Sequence, residues 1–148
     1  MYHHILIATD GSALAHRALE HGLALGKALG AAVTVVTATE PWTATEMAAR
    51  ASLGDLHPVD DYNREAEARA KRILDAAGEK AAAVGVACQM VHEPDSGPSE
   101  AILRVARARG CDLIVLSSHA REGLSRAIIG SQSGAVIAGA AVPVLVCR

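Results

Sequence analysis

The stretch that decides the fold is YHHILIATDGSALAHRALEHGLALG, residues 2–26. It opens with a short apolar run that stops at Asp10-Gly11-Ser12, the pattern of a buried strand meeting a tight turn. The spacing then changes. Ala15, Ala18, Leu19, Gly22, Leu25 and Leu29 recur every three or four residues, which predicts a helix with one face on a core. Ser12 is placed to cap its start and Gly30 to stop it. Strand, turn and helix in that order make the first half of a βαβ unit.

The rest of the chain repeats the alternation. AAVTVVTA, residues 31–38, is β-branched and short, a second strand. Residues 39–61 mix Pro41, Trp42, Gly54, Pro58 and three aspartates with little periodicity. They predict a long, mobile connection with a helical turn in TEMAARAS. From Tyr62, helical spacing returns through Ala66, Ala70, Ile73, Leu74, Ala77 and Ala81, with Arg64, Glu67, Lys71, Asp75 and Glu79 on the solvated face. VACQMVHE is a third strand. In DSGPSEAILRVARARGCDLIVLSS, Pro98 suits a first helical turn, Gly110 a helix end, and CDLIVLSS a fourth strand apolar enough to be covered on both faces. A short helix over 131–139 and a fifth strand, VPVLVC, close the chain. The expectation is one α/β domain over residues 1–148, with a mostly parallel sheet and right-handed crossovers.

Composition excludes several function classes. With 148 residues and a hydrophobic fraction of 51%, the chain can bury a core without staples. Its only aromatic residues are Tyr2, Trp42 and Tyr62, so that core is aliphatic. A net charge of −2 and the lack of a basic face argue against nucleic acid. No apolar run can span a bilayer and no leader pattern precedes Asp10, which predicts a cytoplasmic protein with no membrane partner. Cys88, Cys111 and Cys147 are odd in number and far apart, the pattern of buried reduced thiols rather than of a metal site. His3 and His4, as strand neighbours, point to opposite faces and do not suit one metal.

In open α/β sheets ligands sit beyond the carboxyl ends of the strands, where strand order reverses. ATDGS, TATEP and SSHAREG can meet there. Asp10 suits a ribose hydroxyl or a metal ion, and equally a turn aspartate holding the Ser12 amide. Gly130-Ser131 opens a helix, whose N–H groups and dipole favour phosphate; simple capping by Ser131 is the plainer reading. Neither GxGxxG nor GxxxxGK[ST] is present.

Taken together, the opening 2–26 segment, the block GPSEAILRVARARGCDLIVLSSHAREGLSRAIIGS and the closing VPVLVC resemble the universal stress protein family over nearly the whole chain. The resemblance implies a five-stranded parallel sheet ordered 3-2-1-4-5 with helices on both faces, of the adenine nucleotide alpha hydrolase-like kind. It implies a homodimer through the last strand, Val142–Cys147, and a protein partner whose identity the sequence does not name. ATP-binding members carry G, two residues, G, nine residues, then G with Ser or Thr. That signature falls on Ser117, Ala120 and Gly130-Ser131, so the spacing is kept and the first two glycines are replaced.

By resemblance, Asp10 meets the ribose or a magnesium ion, while Ala8, Thr9 and Ala38 lie along the nucleotide with Ala38 near the adenine. Leu116 walls the base. Ser117, His119 and Ala120 belong to the loop, with Arg121 a further phosphate contact. Gly130, Ser131, Gln132 and Ser133 hold the phosphates. The implied cofactor is ATP or ADP with Mg²⁺, in a stress-response or regulatory role. Three readings stand beside it: an interaction module that binds no nucleotide, a cyclic AMP binder and a slow ATPase. For the last, a lone His119 and no P-loop lysine supply no catalytic apparatus.

Overall fold

A computed structural model describes residues 1–118 and 130–148. The strands β1 (His4–Ala8), β2 (Ala32–Ala38), β3 (Cys88–Glu93), β4 (Leu113–Ser117) and β5 (Val144–Cys147) form one sheet in the order β3-β2-β1-β4-β5. Every pairing is parallel, with Ile5 beside both Val33 and Leu113, and Val115 beside Leu145.

The strand side chains alternate between two cores because the strand period is two. Ile5, Ile7, Val33, Val35, Leu113 and Val115 face one side, where α1 (Ala13–Leu29) and α3 (Pro58–Ala83) cover them with Ala18, Leu19, Leu23, Ala77 and Ala81. Leu6, Val36, Ile114 and Leu116 face the other, under α4 (Pro98–Ala108) and α5 (Ser131–Gly139), which add Ile102, Val105 and Val136. Small residues let the α1 face approach closely. A Cβ on Gly22 would lie 2.5 Å from Ile7 Cδ1, so with any side chain there either buried Ile7 or the helix would have to shift.

α1 begins as the sequence predicts, with Ser12 Oγ accepting from the Ala15 amide at 3.2 Å and Gly30 at the C-cap. The segment 39–61 differs from the expectation of a long connection. It contains a nine-residue helix, α2 (Ala44–Ser52), and α3 starts at Pro58 rather than Tyr62. Thr43 caps α2 by accepting from the Glu46 amide at 3.2 Å, the Thr-x-x-Glu capping signature. The first turn of α3 carries Pro58 at its start and Asp60 and Asp61 against the dipole. Both pieces stand off the main core, so they lack the apolar periodicity that betrays a packed helix.

β5 is also shorter than VPVLVC. Pro143 accepts from the Ile114 amide at 3.0 Å but has no N–H to give, so the ladder starts at Val144. At the amino ends of the strands, Asp112 ties β1 to β4. Its Oδ1 accepts from the His4 amide at 3.0 Å and its Oδ2 from the His3 amide at 2.8 Å. The two histidine rings take different partners, His3 on Asp112 and His4 on Thr34 and the Arg109 carbonyl. The three cysteines are free thiols, and burial pushes Cys111 up to about 11. Among the described residues no helix is long and apolar enough to cross a membrane.

Candidate functional site

The connections from β1 and β4 leave the sheet on opposite faces, since α1 packs on one side and α5 on the other. A crevice opens between them at the carboxyl ends of the strands. It holds a cavity of about 230 Å³. Ala8, Thr9 and Asp10 reach it from the end of β1, Ala38 from β2, and Leu116 and Ser117 from β4. Gly130, Ser131, Gln132 and Ser133 reach it from the start of α5. All the candidate residues that lie among the described positions thus line one cavity. His119, Ala120 and Arg121 lie outside the described residues.

Val36, Pro98, Ile102 and Val136 also line it, and sequence reasoning missed them. Three are apolar positions on core-facing stripes, so nothing local separates them from ordinary core. Pro98 is the exception. A proline opening the helix after β3 also marks where that helix meets the carboxyl edge of the sheet.

The cavity is apolar at one end and polar at the other. Ala8, Val36, Ala38, Ile102, Leu116 and Val136 make the apolar walls. The polar end is built by local bonds. Thr9 N–H donates to the Val36 carbonyl at 3.0 Å, carrying the β1 ladder one residue further. Thr9 Oγ1 then accepts from the Gly11 amide at 3.2 Å, and Asp10 Oδ1 from the Ser12 amide at 2.9 Å. Asp10 is therefore a turn aspartate by geometry while its carboxylate also borders the cavity. Gly11 has φ +79°, a conformation that side chains resist, and a Cβ on it would lie 2.9 Å from Ile73 Cγ1. The turn that aims Asp10 accordingly depends on glycine.

Across the crevice, the Ser133 hydroxyl donates to the Ser117 carbonyl at 3.1 Å, and the Gly130 amide donates to Ser118 Oγ at 3.3 Å. Gln132 Oε1 accepts from the Ser99 amide at 3.1 Å and so joins the first turns of α4 and α5. The capping role considered for Ser131 is not what the structure has. The N-cap is Gly130, and among the described residues no side-chain cap bond is made to α5. The first-turn amides of such a helix have no acceptor within it and face its N-terminal end, where the dipole is positive.

Two backbone details bear on Ser117 and on Ala38. Ser117 is in β4, and among the described non-glycine residues only Asp95 has positive φ. A glycine at 117 would therefore add room and no needed backbone freedom. Ala38 lies at the end of β2. Val36 O accepts from Thr9 on the β1 side, and Thr39 N donates to Glu93 on the β3 side at 3.0 Å. Successive residues of a strand turn their backbone groups to opposite neighbours, so the N–H and C=O of Ala38 point to the β1 side. There β1 has already ended at Ala8, and they face the crevice.

Asp10 is the one carboxylate among the lining residues, and no group of three or more His, Cys, Asp or Glu among the described residues could hold a metal ion. That donor set does not make a protein cage for Mg²⁺. It fits an ion held mainly by phosphates and water, with one carboxylate beside it.

An open, doubly wound α/β domain with a half-apolar, half-polar crevice at its switch point is a class of ligand-binding fold. The comparisons give the family. The Universal stress protein family model matches residues 1–148. A universal stress protein of Thermus aquaticus is 36% identical over 155 residues, and YxiE of Bacillus subtilis (strain 168) is 30% identical over 149 residues; each alignment covers all of both chains. Universal stress protein UspA from Lactobacillus plantarum superposes with a TM-score of 0.79 at 20% identity, covering 99% of this chain and 98% of that one. A universal stress protein in complex with cAMP gives 0.72 at 22% identity, covering 99% and 97%. The Archaeoglobus fulgidus protein in complex with dAMP gives 0.71 at 21% identity, covering 99% and 98%. This chain belongs to the universal stress protein family.

Proposed function

We propose that this protein binds an adenine nucleotide in the crevice and acts as a dimeric stress-response or regulatory protein. The observation that carries the reading is the convergence of Ala8–Asp10, Ala38, Leu116–Ser117 and Gly130–Ser133 on one cavity. Two relatives of the same fold were solved with cAMP and dAMP, which share an adenine, a sugar and a phosphate.

The chemistry assigns the parts. The apolar end between Ala38, Ile102 and Leu116 takes the flat base. The Ala38 N–H and C=O are a donor and an acceptor in register for the edge of adenine, and the same pair presents like polarity to the edge of guanine. Asp10 accepts from a sugar hydroxyl. The start of α5 holds phosphate through its amides. Ser133 contributes its N–H, because its hydroxyl proton is committed to Ser117. When a di- or triphosphate is bound, Mg²⁺ neutralises its charge, and Asp10 is the side chain beside it.

β5 ends the sheet with an open edge, and pairing of two copies there would cover it. Light scattering of the purified protein tests this: a monomer mass at micromolar concentration would remove the dimer from the reading.

Isothermal titration with AMP, cAMP, ADP and ATP, with and without Mg²⁺, tests the site. Saturable heat below about millimolar ligand is expected. No heat with any of the four would end the nucleotide reading and leave an interaction module.

A further inference from the structure

Two leucines stand almost wholly in solvent on the turn that joins α2 to α3. Leu53 is 89% exposed and Leu56 85%. A lone exposed leucine is ordinary, but these two share one tight turn. The turn is not loose. The Leu53 amide donates to the Ala49 and Arg50 carbonyls, the Gly54 amide to Ala51, and the Asp55 amide to Arg50 at 3.1 Å. Gly54 takes the left-handed backbone at φ +95°, and Asp55 Oδ1 accepts from the His57 amide at 2.9 Å. A helix end of this kind commonly lets an apolar residue beyond it pack back on the last turn. Here both leucines point away, and the backbone beneath them is already fixed, so contact there costs little further ordering.

The support of the turn is firm as well. Met47 is buried on the inner side of α2. The Arg50 guanidinium donates to Glu65 with two bonds, of 3.3 and 2.8 Å, and lies 5.5 Å from the centroid of Tyr62, whose hydroxyl donates to the Glu40 carbonyl at 2.8 Å. On the outer side of α2, Ala44, Ala48 and Ala51 recur at helical spacing and are exposed. With methyl groups alone, that side lets another chain lie close.

The charge around this surface has one sign. From Thr43 to Glu67 there are six carboxylates, two arginines and no lysine, whereas the whole chain carries only −2. Both arginines are taken, Arg50 by Glu65 and Arg64 by Asp61. Glu65 first, then Glu46 and Asp55, raise the Arg50 guanidinium above its ordinary value, so one cation faces three carboxylates. Among the described residues, Glu46, Asp55 and Asp60 form no ion pair. Two copies meeting here about a two-fold axis would set carboxylates against carboxylates, and an anionic lipid surface would be repelled likewise. A basic partner is attracted.

We infer that the α2–α3 turn is a docking surface for a partner protein that presents a basic amphipathic helix: its apolar stripe covers Leu53 and Leu56 across the alanine side of α2, and its lysines or arginines meet Glu46, Asp55 and Asp60. None of these residues lines the crevice, so the inference stands apart from the nucleotide reading.

The test uses two fluorescein-labelled amphipathic peptides, one of leucine and lysine, one of leucine and glutamate, followed by anisotropy against the full chain. The lysine peptide should bind with a Kd of about 1–100 µM and weaken about tenfold or more with Leu53→Ser/Leu56→Ser. Both side chains are exposed, so that variant should keep its thermal midpoint. Glu46→Gln/Asp60→Asn should weaken the lysine peptide about threefold and flatten its dependence on salt. The glutamate peptide should not bind. Absence of lysine-peptide binding below about 100 µM, or equal binding by either variant, overturns the inference. So does equal binding of the glutamate peptide, which would leave apolar contact alone. A smaller light-scattering mass for the leucine variant would mean that a second copy covers the turn. Cosedimentation with phosphatidylglycerol vesicles that the leucine variant loses would mean a membrane face. Either result also overturns it.

Discussion

The Ser133 hydroxyl donates to the carbonyl of Ser117 at 3.1 Å, fastening the first turn of α5 to the end of β4. These two residues lie on opposite sides of the segment 119–129, and the bond closes the polar end of the crevice. Ser133 is buried. Ser133→Ala should therefore cost about 1 kcal/mol, since it removes the donor and leaves the carbonyl with less to satisfy it. Urea unfolding monitored at Trp42 checks this. An unchanged midpoint would show that the bond contributes nothing.

Ser117→Gly separates the two reasons a glycine can matter. Because Ser117 has strand geometry without positive φ, the substitution adds space only. Stability should fall by about 0.5–1 kcal/mol through backbone entropy. AMP affinity should change by less than about tenfold. A larger gain in titration would mean that the hydroxyl blocks the base or sugar.

Gly11→Ala should be more damaging than any other small change near the crevice. The left-handed backbone costs about 1–2 kcal/mol with a Cβ present, and that Cβ would lie 2.9 Å from Ile73 Cγ1. Adding Ile73→Ala removes the contact and leaves the backbone term. The double mutant should thus recover part of the loss relative to its own Ile73→Ala parent, which denaturant titration of all four proteins would measure.

Acid stability should depend on Asp112. The His4 and His3 backbone amides, followed by the His3 ring, hold its carboxyl below the ordinary carboxylate value. A folded pKa below the unfolded one gives stability that is present above the unfolded value, near pH 4, and lost as pH falls through the folded one. Asp112→Asn should flatten the dependence of the thermal midpoint on pH below about 4. An identical acid limb in the variant would show that the β1–β4 tie does not titrate.

Much of the fold is legible because it is local. The Asp-Gly-Ser turn, Ser12, Pro98 and the apolar alternation in β1 and β4 each specify their own element. α2 is legible only as a helical turn in TEMAARAS, although its Thr43-x-x-Glu46 cap is present in the sequence. With one buried residue, Met47, it has no stripe to reveal it. The start of α3 was missed for the same reason. In the crevice, Asp10 and Gly130-Ser131 could be named from turn and helix-start chemistry, while Ala8, Thr9, Ala38, Leu116, Ser117, Gln132 and Ser133 come only from the family resemblance. Val36, Ile102 and Val136 could not be named from either, since a wall residue of an apolar cavity has the same neighbours in sequence as a core residue.

By itself, the sequence determined the order and type of most elements, the glycine turn at 11, the capping of α1 and the retained spacing from Ser117 to Gly130-Ser131. Those features depend on backbone conformation and short-range periodicity, which neighbouring residues dictate. Only the tertiary structure decided that α4 and α5 share a face of the sheet and close one cavity, that Ser133 and Gln132 spend their polar atoms on Ser117 and Ser99, and that Tyr62 supports Glu40. These contacts join residues 16 to 33 positions apart in the chain, and no local energy term selects them. They exist because two aliphatic faces of one twisted sheet must both be buried, and burying them brings the loops together at one edge.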